Sequence, residues 1–453
     1  FLTYLEDESP AGMGKRIVKH VKEQDEKGLG VRVVCSLNSV RALPKEFVDM
    51  FESQHGVLVY DEARSIAAYI REYMTNDKAT FERPDESLDR LAKMAASSKV
   101  IFSDADGLCD GATLALARRV APQKTIRCIC ATVCKLERDA EIAFGDLTSK
   151  GAGTETDKNG GRRSLLHHLF AAVRRARANV DERVYVQCAS KSQIKKLRAM
   201  LQERGLWAFE RCKAYTGDSP DKNDLINTAE AWANVYLVIC NSAVTVAVNV
   251  EVPFGAAFMF TDNSPNVAVV RDEGQGIVRI WRKPELEPPA GAMGRGPDGR
   301  CRIFVLLGCK APLGVADGLE DKGRPTVKGA VDRGLAVSPV DFPAWLQQQH
   351  AKALRRLTEG AAEGRAKHVN GAEITRETAE IVAWNTVERD ANRSQHFTYF
   401  LHLCSLGTRE WRVRCIEDFA DADPAHAPVQ QPEQEEEEEE EEHEAEGAAV
   451  APE

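Results

Sequence analysis

The chain lacks any run of about 18 apolar residues, so nothing in it is long enough to cross a bilayer as a helix. It also lacks an initiator Met and a basic region leading into an apolar one. It begins at Phe1, and we read it as a fragment or processed chain with a missing upstream segment and no secretion signal. These absences predict a nuclear or cytoplasmic protein. No C-x-x-C pair occurs, and most of the 12 cysteines sit singly in apolar stretches such as RVVCSL, YVQCAS and LVICNS. That usage suits reduced, buried thiols and argues against a disulfide framework. Only Cys128, Cys130 and Cys134 cluster, at a spacing that fits a strand or, less directly, a metal site. No helix-turn-helix, zinc finger or other base-reading module is apparent.

Lys and Arg are absent from Glu417 to the end, where 16 of the 70 acidic residues gather. Residues 1–416 therefore carry 60 basic against 54 acidic side chains, a balance of +6 that the overall −10 conceals. A mildly basic body is compatible with a phosphate-rich partner. The tail, with an unbroken Glu435–Glu442 run, cannot bury enough apolar surface to order itself. Either it is a solvated, disordered tail, or it mimics nucleic acid and competes for a basic groove.

Short apolar runs recur: VRVVCS (31–36), GVLVYD (56–61), KVIFSD (99–104), IRCICATV (126–133), RVYVQCA (183–189) and VYLVICNS (235–242). Each precedes a helix-compatible segment, for example SIAAYIREYM or SQIKKLRAMLQERG. Continuous apolar strands alternating with helices predict an α/β fold, with a parallel sheet covered on both faces. The glycine-rich stretch GDLTSKGAGTETDKNGGRR marks a linker. The expected organisation is a first lobe over 1–144, a linker over 145–165, a second lobe over 166–310, a mostly helical extension over 311–416, and the acidic tail over 417–453.

Five motifs carry chemistry. In SPAGMGKR, Gly12, Gly14 and Lys15 precede a helix pattern. Small residues let backbone N–H groups converge on a β-phosphate at a helix N-terminus, and a Lys reaches the β- and γ-oxygens. Arg16 follows where a Ser or Thr hydroxyl would meet Mg²⁺, and a guanidinium cannot ligate a cation. In VLVYDEARS, Asp61 and Glu62 end an apolar run. There the first acid can hold Mg²⁺ and the second can orient the attacking water, or the pair can cap the following helix. In KVIFSDADG, Asp104-Ala105-Asp106 ends another strand, at the edge where open α/β sheets bind ligands, or forms an ordinary acidic turn. In QGIVRIWR, Gln275, Arg279 and Arg282 give the spacing Q-x-x-x-R-x-x-R, and planar guanidinium groups suit capture of phosphate oxygens. Ser242 and Thr245 in NSAVTVAVNV could contact a phosphodiester chain or be satisfied hydroxyls of a buried strand.

The order G-x-G-K, D-E, D-A-D, S-x-x-T and Q-x-x-x-R-x-x-R resembles a superfamily 2 helicase core. More closely, these segments resemble the herpesvirus-type replication-origin-binding protein helicases, including relatives in protists and large DNA viruses. The likeness covers roughly residues 5–285 and, more loosely, AEIVAWNTVERDANRSQHF. It implies two RecA-like lobes of the P-loop NTPase type with ATP between them and single-stranded DNA across their tops, acting in DNA replication with other replication proteins. It further implies that Gly14 and Lys15 bind phosphates, Asp61 Mg²⁺, Glu62 the water, and Arg279 and Arg282 the γ-phosphate. The chain departs from the pattern at Arg16 (for Thr), Ala247 (for Gly), Asn249 (for an acid) and Val278 (for Gly). Two other readings follow: a weakened or inactive helicase-like scaffold that still binds nucleic acid, and a DEAD-type RNA helicase, against which D-A-D in place of S-A-T speaks.

Overall fold

A computed structural model describes residues 45–53, 56–61, 63–75, 84–103, 111–127, 138–145, 160–217, 224–241, 250–262, 280–281, 284–308, 341–367, 373–405 and 411–415, with the single positions 19, 23, 37, 40, 43, 147 and 219. The α/β class expected from alternating apolar runs and helix patterns is what these residues form.

The first group of elements is α1 (Lys45–Ser53), β1 (Val57–Tyr60), α2 (Ala63–Thr75), α3 (Pro84–Ser97), β2 (Lys99–Phe102) and α4 (Gly111–Val120). Strands β1 and β2 pair in parallel, in register from Val57 beside Lys99 to Tyr60 beside Phe102. The Tyr60 and Phe102 rings stack with centroids 4.6 Å apart.

The second group is β3 (Arg138–Phe144), α5 (Gly160–Ala178), β4 (Val184–Cys188), α6 (Lys191–Glu203), β5 (Cys212–Tyr215), α7 (Thr228–Ala231), β6 (Leu237–Asn241), β7 (Ala256–Phe260) and β8 (Cys301–Leu307). After it come α8 (Phe342–Thr358), β9 (Arg365–Lys367), β10 (Glu373–Thr375), α9 (Arg376–Ser394), α10 (His396–Ser405) and β11 (Trp411–Cys415). Seven strands form one sheet in the order β11-β3-β8-β7-β4-β6-β5, and every pairing in it is parallel. Strands β9 and β10 make a separate antiparallel pair.

Because successive strand side chains point to opposite faces, strands β3 to β8 of the large sheet serve two cores. Val184, Val186, Leu237 and Ile239 pack with Leu169 and Val173 of α5 and Leu197 and Leu201 of α6. Tyr185, Met259, Ile303 and Val305 pack on the other face with Phe342 of α8 and Phe397, Tyr399 and Phe400 of α10. A third core gathers α1 to α4 around Tyr60, and into it reach Leu357 of α8 and Ile381 and Val382 of α9. Each such side chain, fully buried, is worth roughly 1.5–3 kcal/mol.

The structure differs from the sequence reading in several places. Strand β3, assigned by sequence to the first lobe, pairs with β8 of the large sheet in register from Arg138 beside Cys301 to Phe144 beside Leu307. RDAEIAF does not look like a buried strand. Its Asp139 and Glu141 are nevertheless buried, and their charges are met by Arg300 at 2.7 Å and Arg302 at 3.0 Å. Residues 160–165, assigned to the linker, open α5. The described part of the extension is mostly helical, as expected, and it also contributes β11 to the large sheet beside β3. The runs at 31–36 and 128–133 lie outside the described residues, as do Cys128, Cys130, Cys134 and the tail. Among the described residues, no helix is long and apolar enough to cross a membrane. Cys188, Cys212, Cys240 and Cys301 are buried, and burial pushes the Cys240 thiol up to about 12.

Candidate functional site

Parallel pairing sends β1 and β2 out of their sheet at the same edge. Asp61 follows β1 directly and Ser103 follows β2, and the Ser103 hydroxyl donates to Asp61 Oδ1 at 2.8 Å. The Ser103 backbone joins them further: its N–H donates to Tyr60 O at 2.9 Å, while Ser103 O accepts from the N–H of Ala63 at 3.0 Å. Two sequence motifs some forty residues apart thus leave the sheet side by side. Asp61 is exposed, as a group meeting a soluble ligand must be. The residue after Asp61, Glu62, lies outside the described residues, and so do Asp104 and Asp106.

Immediately behind the acids, Arg64 opens α2 and is buried. Its Nη1 donates to Asn385 Oδ1 of α9 at 2.9 Å, and its Nη2 pairs with Glu388. Asn385 in turn donates through Nδ2 to Ala67 O at 2.8 Å and Ile381 O at 2.9 Å. Glu388 also accepts from the Tyr399 hydroxyl of α10. A buried guanidinium needs such partners, because an isolated charge would meet a large desolvation penalty.

In the large sheet, the chain leaves β4 for β5 on one side and leaves β7 for β8 on the other, so the winding direction changes between β4 and β7. Crevices at such points, outside the carboxyl ends of the strands, are where open α/β sheets bind ligands. Here Gln193 of α6 spans the two strands: its Oε1 accepts from Ala189 N at 2.8 Å and its Nε2 donates to Thr261 O at 3.0 Å. Thr261 Oγ1 also lies 2.7 Å from His396 Nε2. The opposite ring nitrogen, 2.9 Å from Asn392 O, must donate to that carbonyl, which leaves Nε2 as acceptor of the threonine proton. Burial pushes the His396 pKa down to about 4 and holds the ring neutral.

The arginine motif is anchored by its apolar residues. Ile280 and Trp281 are fully buried in the core under the large sheet, and Trp281 Nε1 donates to Phe254 O at 3.0 Å.

Of the residues singled out by sequence, the structure places Asp61. Gly12, Gly14, Lys15, Arg16, Glu62, Ser242, Thr245, Gln275, Arg279 and Arg282 lie outside the described residues. The sequence reading missed Ser103 as a partner of Asp61, although its position before D-A-D could have suggested it. It also missed Asn385 and Glu388, whose contact with Arg64 spans 321 and more residues of chain. Among the described residues, no group of three or more His, Cys, Asp or Glu could hold a metal ion. A magnesium ion bound with a nucleotide does not require one, since one or two carboxylates with water and phosphate oxygens suffice.

No protein-family model matches the chain, and no curated protein matches it in sequence. Among solved structures, it is similar to the DUF1998 helicase MrfA bound to DNA and AMPPNP, at 13% identity over 69% of this chain and 38% of that one, with a TM-score of 0.42. It is also similar to the Mycobacterium smegmatis helicase Lhr bound to ssDNA and AMP-PNP, at 12% identity over 84% of this chain and 48% of that one (TM-score 0.38). A third likeness is to T. fusca Cas3 with AMPPNP, at 13% identity over 76% and 36% of the two chains (TM-score 0.36). The chain spans less than half the length of each of these.

Proposed function

We propose that the chain is a nucleic-acid-stimulated ATPase of the superfamily 2 helicase kind, acting on DNA as replication-origin-binding helicases do. The observation that carries this reading is the joining of Asp61 to Ser103 at one carboxyl edge of a parallel sheet. In the proposed reaction Lys15, with the backbone around Gly12 and Gly14, holds the phosphates. Asp61 holds Mg²⁺, which would shield charge on the transferring phosphoryl group, and Glu62 orients the water. Gln275, Arg279 and Arg282 would stabilise the transition state. Ser242 and Thr245, which follow β6, would meet the phosphodiester backbone, whose contacts position rather than specify. Arg16 in place of a hydroxyl leaves the metal to Asp61 and the phosphates, so a raised Mg²⁺ requirement follows.

Phosphate release by the full chain, measured without nucleic acid and with single-stranded DNA or RNA, tests the proposal. The expected result is stimulation, stronger with DNA, with Arg279→Ala lowering turnover by about 10³-fold. Equal stimulation by RNA would favour the DEAD-type reading. Binding of DNA with no phosphate release at any Mg²⁺ concentration would leave the inactive scaffold and refute the ATPase.

A further inference from the structure

The mechanism above uses Asp61 but gives no role to the C-terminal helices that pack directly behind it. Along α9, Ile381, Asn385, Glu388 and Asn392 recur at steps of four, three and four residues, which sets them on one face of the helix. The N-terminal half of that helix buries Ala379, Ile381, Val382 and Ala383 in the core beneath β1 and β2. Its middle grips Arg64 through Asn385 and Glu388. Its end reaches the large sheet, where Asn392 Nδ2 donates to Asp262 O at 3.4 Å and His396 meets Thr261. Tyr399, buried in the core of the large sheet, donates its hydroxyl to Glu388 and ties the two ends together. Arg64 stands three residues after Asp61, and between them Ala63 is fastened to Ser103. A displacement of Arg64 therefore moves the acid pair.

We propose that Asn385 and Glu388 are positioning residues for the acid loop at Asp61, acting through Arg64, and that α9 carries this setting to the carboxyl end of the large sheet. The role rests on the ATPase reading given above. On this reading the extension is part of the motor: it sets the acids of one sheet relative to the strand ends of the other. Removing the carboxylate charge at 388 weakens the hold of α9 on the Arg64 guanidinium. Asp61 is then held less firmly.

The test uses the full chain with Glu388→Gln, with Arg64→Gln, with both changes together, and with Arg64→Lys. Two readouts are taken. In ATP hydrolysis, either glutamine variant should lower kcat between about 10-fold and 100-fold while KM for ATP changes less than about twofold. The double variant should be no worse than either single one, and Arg64→Lys should recover part of the loss. In hydrogen exchange, which needs no turnover, the segment 57–66 should exchange faster in Glu388→Gln while α5 and α6 keep their protection. Tyr399→Phe, which keeps the ring in the core and removes only the hydroxyl, should move both readouts in the same direction by less; it decides the matter if Glu388→Gln fails to fold. Absence of ATP hydrolysis by the unmodified chain sinks the ATPase reading and leaves the exchange readout to judge the positioning. Unchanged exchange at 57–66 in Glu388→Gln or Tyr399→Phe overturns the positioning role whatever the turnover, as would additive losses of kcat in the double variant.

Discussion

At the scale of single residues, the strongest constraints come from polar groups carried into the core with their partners. His396 accepts from Thr261 and donates to the Asn392 carbonyl, a pair of bonds available only to the neutral ring. Its pKa is pushed down to about 4 by burial, with the hydrogen bond to the Asn392 carbonyl and the nearby Asp262 acting the other way. Above the ordinary histidine pKa of about 6.5, neither the folded nor the unfolded chain carries the proton, and this stability is fully present. As pH falls from about 6.5 to 4, the unfolded chain protonates first, and stability on the order of 3 kcal/mol is lost. Denaturant unfolding between pH 7.5 and 4.5 should show this loss, and His396→Gln should flatten it; an equally steep curve in the variant would assign the loss to other groups, such as His168, whose pKa is also about 4. Little of this was legible in the sequence. Nothing in RSQHF announces that His396 meets a threonine 135 residues away. Nothing in RDAEIAF announces that Arg300 neutralises Asp139 inside the fold.

Elements were more legible than residues wherever apolar patterning was unbroken. The runs containing β1, β2, β4 and β6 were read as strands, because Val, Ile and Cys in series suit a sheet buried on both faces. Strands β3, β5, β7 and β8 escaped: CKAY is short, the charges of β3 are satisfied only in three dimensions, and the apolar β7 and β8 have no helix pattern directly after them. Packing between helices shows the same limit. Gly111 opens α4 beneath the indole of Trp384 on α9, and a Cβ built there would lie 2.3 Å from the ring. Trp384 is itself stacked on His350, with centroids 4.0 Å apart. Helix propensity favours alanine over glycine by about 1 kcal/mol, while forcing a methyl into a packed contact costs about 1–3 kcal/mol. The steric effect should prevail because the ring is held from both sides. Gly111→Ala is therefore expected to lower the denaturation midpoint; a raised midpoint would mean that the ring yields and propensity wins.

The whole molecule is joined by helices that belong to two cores at once. Helix α8 buries Phe342 with the large sheet and Leu357 with the core beneath β1 and β2. Helix α9 buries Ile381 and Val382 in that same smaller core, and α10, which follows it, buries Phe397 and Phe400 with the large sheet. Sequence reading placed these residues in a terminal extension, and no local pattern could reveal that its helices would bridge two sheets. Lobes joined by a small polar interface move and unfold independently, whereas a large apolar interface couples them. The expected consequence is one cooperative transition for both. Ile381→Ala, made on the smaller-core side, should cost about 2–5 kcal/mol, the range for truncating a fully buried isoleucine. Hydrogen exchange should report a comparable loss at β1, which shares the Ile381 core, and at β6, which does not. If β6 kept its full protection while β1 lost it, the two sheets would be separate folding units, and the helices would serve as a tether without coupling them.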